Sequence, residues 1–230
     1  MSSIAIITAR GGSKRIPKKN IKEFCGQPII AYSIKAAMES GVFDEVMVST
    51  DSLQIKEIAE RYGAKVPFMR SEATSNDYAT TADVIKEVIS EYEKLGREFE
   101  YGCCIYPTAP FITDKKLEEA MAKLISGDFH SVVPVVRYSF PPQRAFVIEG
   151  DSLKYMYPEH MNTRSQDLEP IYHDCGQFYC FDVQAFLKSG KIVGSKASAI
   201  IMSELQVQDI DNEIDWKMAE LKYRLNNQGE

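Results

Sequence analysis

The sequence predicts an α/β chain: an open, mostly parallel sheet, doubly wound, with helices on both faces. Three observations predict it. Short apolar, β-branched runs such as Ile4-Ala5-Ile6-Ile7 have the pattern of buried strands. Segments with apolar residues at helical spacing separate these runs. The connections are long enough for the right-handed crossovers that parallel strands need. A chain of 230 residues with 44% hydrophobic content can fill the core of a single domain, taken as residues 1–230.

Ile4–Thr8 is the first strand and runs into a loop with two adjacent glycines, Gly11 and Gly12. Phe24-Cys25-Gly26-Gln27-Pro28 is a turn signal with Pro28 poised at a helix start. Ile29, Ile30, Ile34, Ala37 and Met38 then recur at helical spacing, up to a stop at Gly41. Glu45–Ser49 reads as the second strand. Asp51 or Ser52 caps a helix carrying Ile55, Ile58 and Ala59; Gly63 closes it, and Lys65–Phe68 reads as a short third strand. Met69–Tyr78 is polar and irregular. Thr80 with Asp83 resembles a capping box before an amphipathic helix marked by Val84, Ile85, Val88, Ile89 and Tyr92. Tyr101–Tyr106 is another buried-strand pattern, ending in Pro107-Thr108-Ala109-Pro110. Leu117, Met121, Leu124 and Ile125 give the next helix, and Ser131–Val136 the next strand.

The alternation fails between Arg137 and Glu169, where Pro, Tyr, Phe and Met accumulate. The stretch is either a long surface excursion or an inserted arm, residues 137–170, that packs on another subunit. Apolar groups in this number usually find a partner, which favours the arm and a homodimer. Gln177–Phe181 returns to the sheet, Val183–Leu187 is a short helix and Ala199–Met202 a further strand. A last helix carries Ile214, Trp216, Met218 and Leu221.

Composition narrows the function. No apolar run approaches the roughly 20 residues that span a bilayer, and the N-terminal pattern is not that of a signal peptide. A cytoplasmic protein with no membrane partner is expected. The net charge of -6 speaks against general nucleic-acid binding. The five cysteines form no Cys-x-x-Cys pair and are expected as reduced thiols, several in the core. Cys175, Cys180 and His173 fit no standard zinc spacing.

Against this acidic background the first loop is basic. Arg10, Lys14, Arg15, Lys18, Lys19 and Lys22 crowd a stretch that leaves a buried strand. A glycine loop lets backbone N–H groups approach phosphate, and the cations supply countercharge. It is neither a Walker loop nor a dinucleotide fingerprint; a polyphosphate site and a solvated basic loop both remain open. In an open parallel sheet, ligands lie outside the carboxyl ends of the strands, which singles out Arg10–Asn20, Asp51, Pro107–Pro110 and the pair Asp209/Asp211. Residues two apart in extended chain point the same way, so Asp209 and Asp211 can face one cation, and Mg2+ takes a few carboxylates plus phosphate oxygens. The competing reading has Asp211 capping the last helix and Asp209 solvated. Thr80 and Thr81 read better as caps than as nucleotide contacts. Arg164, near Asp167 and Glu169, is either a salt bridge or an anion-binding fork. Asp174 is a turn residue or a polar ligand contact. His173 has no relay partner, so no nucleophilic triad is seen.

At Ala9-Arg10-Gly11-Gly12-Ser13-Lys14-Arg15-Ile16-Pro17-Lys18-Lys19-Asn20 the chain resembles the acylneuraminate cytidylyltransferase family, whose members activate nonulosonic acids with CTP. Val48-Ser49-Thr50-Asp51, Pro107-Thr108-Ala109-Pro110 and Asp209-Ile210-Asp211 follow in the family's order, so the likeness spans nearly the whole chain. Tyr106, Tyr138-Ser139-Phe140-Pro141 and Tyr172-His173-Asp174-Cys175-Gly176-Gln177 are similar to the branch that acts on pseudaminic acid, while Pro107, Cys175 and Cys180 depart from it.

The resemblance implies a Rossmann-like nucleotidyltransferase fold with a dimerisation arm reaching into the neighbour's site. It implies that Arg10 and Lys19 hold the triphosphate, with Ala9, Gly11, Gly12 and Ser13 alongside and Asn20 and Thr81 beside the nucleotide. Asp209 and Asp211 would bind Mg2+, and Arg10, Lys19 and Asp211 would be the catalytic residues. Tyr106, Arg164, Asp174 and Gln177 would face the sugar. The implied reaction is in-line attack of the sugar's anomeric hydroxyl on the α-phosphate of CTP, giving a CMP-sugar and pyrophosphate. Sialic, legionaminic and 3-deoxy-octulosonic acids are alternative substrates, and a non-catalytic nucleotide-binding protein is the alternative of a different class.

Overall fold

The computed structural model describes residues 2–227; residues 1 and 228–230 of the expected domain lie outside the described residues. The strands are β1 Ser3–Thr8, β2 Glu23–Phe24, β3 Gln27–Pro28, β4 Glu45–Ser49, β5 Tyr101–Ile105, β6 Ser131–Arg137, β7 Phe146–Glu149, β8 Ser152–Tyr155, β9 Tyr172–Asp174, β10 Phe178–Asp182 and β11 Ala197–Met202. The helices are α1 Ile30–Glu39, α2 Leu53–Arg61, α3 Glu72–Ser75, α4 Thr81–Lys94, α5 Asp114–Ser126, α6 Val183–Ser189 and α7 Glu213–Asn227.

Among the described residues seven strands form one sheet in the order β11-β6-β10-β5-β1-β4, with β9 also on β6. β1 runs parallel to β4 and β5, and β11 parallel to β6. β10 is antiparallel to β5 and β6, and β9 antiparallel to β6. The mostly parallel, doubly wound sheet expected from the alternation is therefore present. Its parallel strands all deliver their carboxyl ends to one edge.

The pleat sorts the strand residues between two helical layers. Ala5, Ile7, Val46, Val48, Cys103 and Ile105 face α1, α2 and α5. Ile4, Ile6, Met47, Cys104 and Phe181 face α4 and α6. Both faces are covered, which is why these strands read as continuous apolar runs. Cys103, Cys104, Cys175 and Cys180 are buried, in keeping with the expectation that several cysteines lie in the core.

Three local expectations change. Met69–Tyr78, expected to be irregular, contains the one-turn helix α3 at Glu72–Ser75. Lys65–Phe68 does not extend into a strand: Lys65 makes a single parallel bridge to Met47, giving its N–H to Val46 and receiving that of Val48. Pro67 has no N–H to continue the ladder. Pro28 does not open the helix either. It closes a tight hairpin whose turn residues Cys25 and Gly26 take φ of 45° and 96°, and α1 begins at Ile30 behind it.

A third apolar cluster decides where the two ends of the chain meet. Ile16 from the first loop, Phe24, Ile29, Tyr32, Phe111, Ile210 and Trp216 of α7 are buried together. Phe24 makes edge-to-face contacts with Tyr32 and Trp216, each at 5.6 Å between ring centres. Burying Ile16 and Ile210 in one cluster brings the basic loop against residues 209–211.

Arg137 still pairs with Tyr172 in the sheet; beyond it the stretch leaves as an excursion whose only strand pairing, among the described residues, is the β7–β8 hairpin. Leu168 is buried, but many of the other apolar side chains are open to solvent: Phe140 is 89% exposed, Ile148 74% and Leu153 62%.

Candidate active site

The carboxyl ends of β1 and β5 open into a cleft of about 550 Å³, lined by Thr8, Arg10, Gly12, Ser13, Lys19, Asn20, Arg70, Thr81 and Tyr106 among others. Beside it, a second cavity of about 620 Å³ is walled by Arg137, His173, Asp174, Tyr179, Asp209 and Lys222. Tyr106 of the first packs edge-on against Tyr179 of the second, ring centres 5.7 Å apart, so the two cavities share a wall.

The basic loop is shaped by its own hydrogen bonds. Asn20 Nδ2 donates to the Arg10 carbonyl at 2.9 Å, Ser13 Oγ donates to the Ile16 carbonyl at 2.6 Å, and Gly11 N–H donates to Asp51 Oδ1 at 2.7 Å. Ala9 is buried and gives its N–H to Ser49. Gly12 and Ser13 line the cleft, whereas buried Ala9 and exposed Gly11 do not. A Cβ on Gly12 would meet nothing within 4 Å, so the missing side chain leaves open approach to the backbone from the cleft.

Lys19 joins this loop to the far end of the chain. Its Nζ donates to the Ile210 carbonyl at 2.6 Å, and Arg15 pairs with Asp211 at 2.9 Å. Burial pulls the Lys19 pKa down, and the charges of Asp211 and Asp209 partly oppose it. Asp211 does not cap α7. Asn212 takes that role, its Oδ1 accepting from Ile214 and Asp215 N–H at 2.8 and 3.1 Å, which leaves the Asp211 carboxylate to the loop. Asp209 is exposed on the wall of the second cavity.

The remaining candidates divide. Thr80 caps α4 in a full capping box; Thr81 lies 3.4 Å from the Tyr106 hydroxyl and lines the cleft. Burial raises the Tyr106 pKa, keeping its hydroxyl a proton donor. Asp174 holds a turn through Gly176 N–H at 2.7 Å and accepts from Tyr179 Oη at 2.7 Å, on the second cavity's wall. Gln177 is not brought to either cavity: it is 2% exposed, and its Nε2 ties down the Gln206 carbonyl at 2.6 Å. Arg164 is not brought to them either; it forms the local salt bridge with Asp167 at 2.6 Å on the arm.

Two charged cleft residues were not singled out from the sequence. Arg70 is buried, with Nε and Nη2 on the Ser49 hydroxyl and carbonyl at 3.0 and 2.6 Å, and burial lowers its pKa. Asp77 reaches Arg10 from the irregular stretch before α4. An arginine and an aspartate in a polar run carry no periodic signal, so only the fold could reveal them.

A strand-end cleft edged by a cationic glycine loop, which Lys19 ties to the segment carrying Asp209 and Asp211, is suited to a polyphosphate nucleotide, although Asp209 lines the second cavity and Asp211 lines neither. Residues 4–191 match the model of the family described as Cytidylyltransferase. The chain belongs to that family and is a nucleotidyltransferase. It is 39% identical over 229 residues to the pseudaminic acid cytidylyltransferase of Campylobacter jejuni serotype O:2, covering 99% of both chains. It is 31% identical to the CMP-N,N'-diacetyllegionaminic acid synthase of Legionella pneumophila, again over 99% of both. Against N-acylneuraminate cytidylyltransferase A of Danio rerio the identity is 36%, with 94% of this chain covering 49% of that protein. Among solved structures, a CMP:2-keto-3-deoxy-manno-octonic acid synthetase complexed with CTP superposes with a TM-score of 0.71 at 15% identity, covering 98% of this chain and all of that one. At that identity the likeness speaks for the fold.

Proposed function

We propose that the chain transfers CMP from CTP to a nonulosonic acid, pseudaminic acid in first place, releasing pyrophosphate. The observation that carries this is the convergence at Lys19, whose ammonium lies between the cationic loop and the Asp209-Ile210-Asp211 segment. The first cleft is read as the CTP site and the second cavity as the sugar site, with Tyr106 and Tyr179 between them.

Phosphoryl transfer asks little covalent work of a protein, so charge and position dominate. Lys19 and Arg10 neutralise the pyrophosphate as it departs. The open backbone at Gly12 and Ser13 lets the phosphates come close. Asn20 fixes the loop through the Arg10 carbonyl. Asp174 and Tyr179 shape the acceptor side, where the anomeric hydroxyl attacks in line. Asp209 and Asp211 suit Mg2+: they are hard oxygen donors, two in number where this ion takes one or two carboxylates beside phosphate oxygens and water. Bound there, the ion would supply Lewis-acid polarisation of the phosphate.

The reading is tested by measuring pyrophosphate release from CTP with pseudaminic, legionaminic and sialic acids side by side. The expected result is turnover with a nonulosonic acid, fastest with pseudaminic acid. CTP binding with no pyrophosphate release from any sugar would favour the non-catalytic reading instead.

The exposed apolar arm supports a homodimer, in which Arg164 would serve the neighbour's sugar pocket. Light scattering at micromolar concentration is expected to give twice the chain mass; a monodisperse monomer would refute it.

A further inference from the structure

We propose that Asp77 is a positioning residue for Arg10, holding its guanidinium ready for phosphate. This deepens the CTP reading of the first cleft and rests on it.

Arg10 Nη1 donates to Asp77 Oδ1 at 2.7 Å and to the Asn76 carbonyl at 3.2 Å. Lys14 Nζ donates to the other carboxylate oxygen, Oδ2, at 2.5 Å. One carboxylate therefore bridges two cations of the glycine loop. Only Nη1 of Arg10 is engaged: its other nitrogens make no hydrogen bond among the described residues, and the side chain lines the cleft. An arginine pinned by one edge of its planar fork keeps the other edge free for a phosphate oxygen. The two cations hold the Asp77 carboxyl below the usual carboxylate range, Lys14 contributing most.

The segment that carries Asp77 is anchored well enough to hold Arg10 still. Its base is tied to α4: Glu87 accepts from Ser71 N–H at 2.8 Å, from Ser71 Oγ at 3.0 Å and from the Thr74 hydroxyl. Arg70 N–H bonds the Thr50 carbonyl at 2.8 Å at the end of β4. At the tip, Asn76 Oδ1 accepts from Tyr78 and Ala79 N–H at 2.8 and 3.0 Å, which fixes the turn around Asp77.

Charge alone predicts the opposite of this proposal, and that makes it testable. Asp77 is an anion at the mouth of a cleft read as binding a triphosphate. By Coulomb repulsion its removal should tighten CTP binding. If it orients Arg10, removal should weaken binding despite the gain in positive charge, because a misplaced guanidinium loses its hydrogen bonds.

The test is CTP affinity by calorimetry for the parent, Asp77→Ala, Asp77→Asn, Arg10→Ala and the double variant, with thermal melts confirming that each folds. We expect Asp77→Ala to weaken CTP about tenfold. Asp77→Asn should weaken it less, since the amide oxygen still accepts from Arg10. In the Arg10→Ala background, Asp77→Ala should cause no further loss. The proposal is overturned if Asp77→Ala binds CTP as tightly as the parent or more tightly, or if its loss adds in full to that of Arg10→Ala. A parent that binds no CTP would overturn the function itself; a parent that binds while the variants behave additively overturns this inference alone.

Discussion

Asp211→Ala is expected to lower CTP turnover with the sugar acceptor by about 10²–10³-fold while leaving the protein folded. The Asp211 carboxylate carries little of the fold. It does not cap α7, a role that falls to Asn212, and its one ion pair among the described residues, with Arg15, joins two partly exposed side chains and is worth little stability. Its place beside the cationic loop is what the proposed metal-binding role rests on. The same variant should weaken Mn2+ binding in the presence of CTP, read by electron paramagnetic resonance, which separates loss of a metal ligand from loss of fold. Undiminished, metal-dependent turnover by a folded Asp211→Ala protein would remove Asp211 from the site.

Lys19→Met is expected to have an effect of the same size on kcat/KM for CTP, about 10²–10³-fold. Here the ammonium does two things. It offers charge to the cleft, and it clips Ile210 to the loop through a 2.6 Å hydrogen bond. Lys19→Arg keeps the charge and separates the two roles.

The pH dependence follows from the direction of the shift. Burial disfavours the ammonium, so its proton leaves at a lower pH than that of an ordinary lysine, with Asp211 and Asp209 limiting the drop. Below that depressed pKa the cation is present and CTP affinity is full; above it the cation and its share of the affinity are lost. CTP affinity should thus decline on the alkaline side, starting below the range of a free lysine. In Lys19→Arg that decline should disappear, because guanidinium stays charged. An alkaline decline identical in Lys19→Arg would assign it to another group.

The fold was legible because its strands are buried on both faces and its helices are amphipathic, so period and length together told them apart. The failures are local and have local causes. Pro67 ends a pairing that the apolar pattern alone would extend, and Pro28 belongs to a hairpin because Cys25 and Gly26 both adopt positive φ. Within the candidate site, the cationic loop and the Asp209/Asp211 pair were visible as clusters of charge at strand ends. What brings them together was not. Ile16 and Ile210 are single apolar residues in polar stretches, and nothing in a linear pattern says that they share a cluster with Trp216. Arg70 and Asp77 were hidden for the same reason, in a run without period.

The central claim is that these two distant stretches converge on one triphosphate. Its most direct measurement is a crystal structure with CTP and Mn2+, the metal located by anomalous scattering. The account predicts phosphate oxygens on Arg10 and Lys19 and a manganese peak between those phosphates and the carboxylates of Asp209 and Asp211. CTP bound in another cleft, or a peak remote from both aspartates while the phosphates occupy the loop, would contradict it.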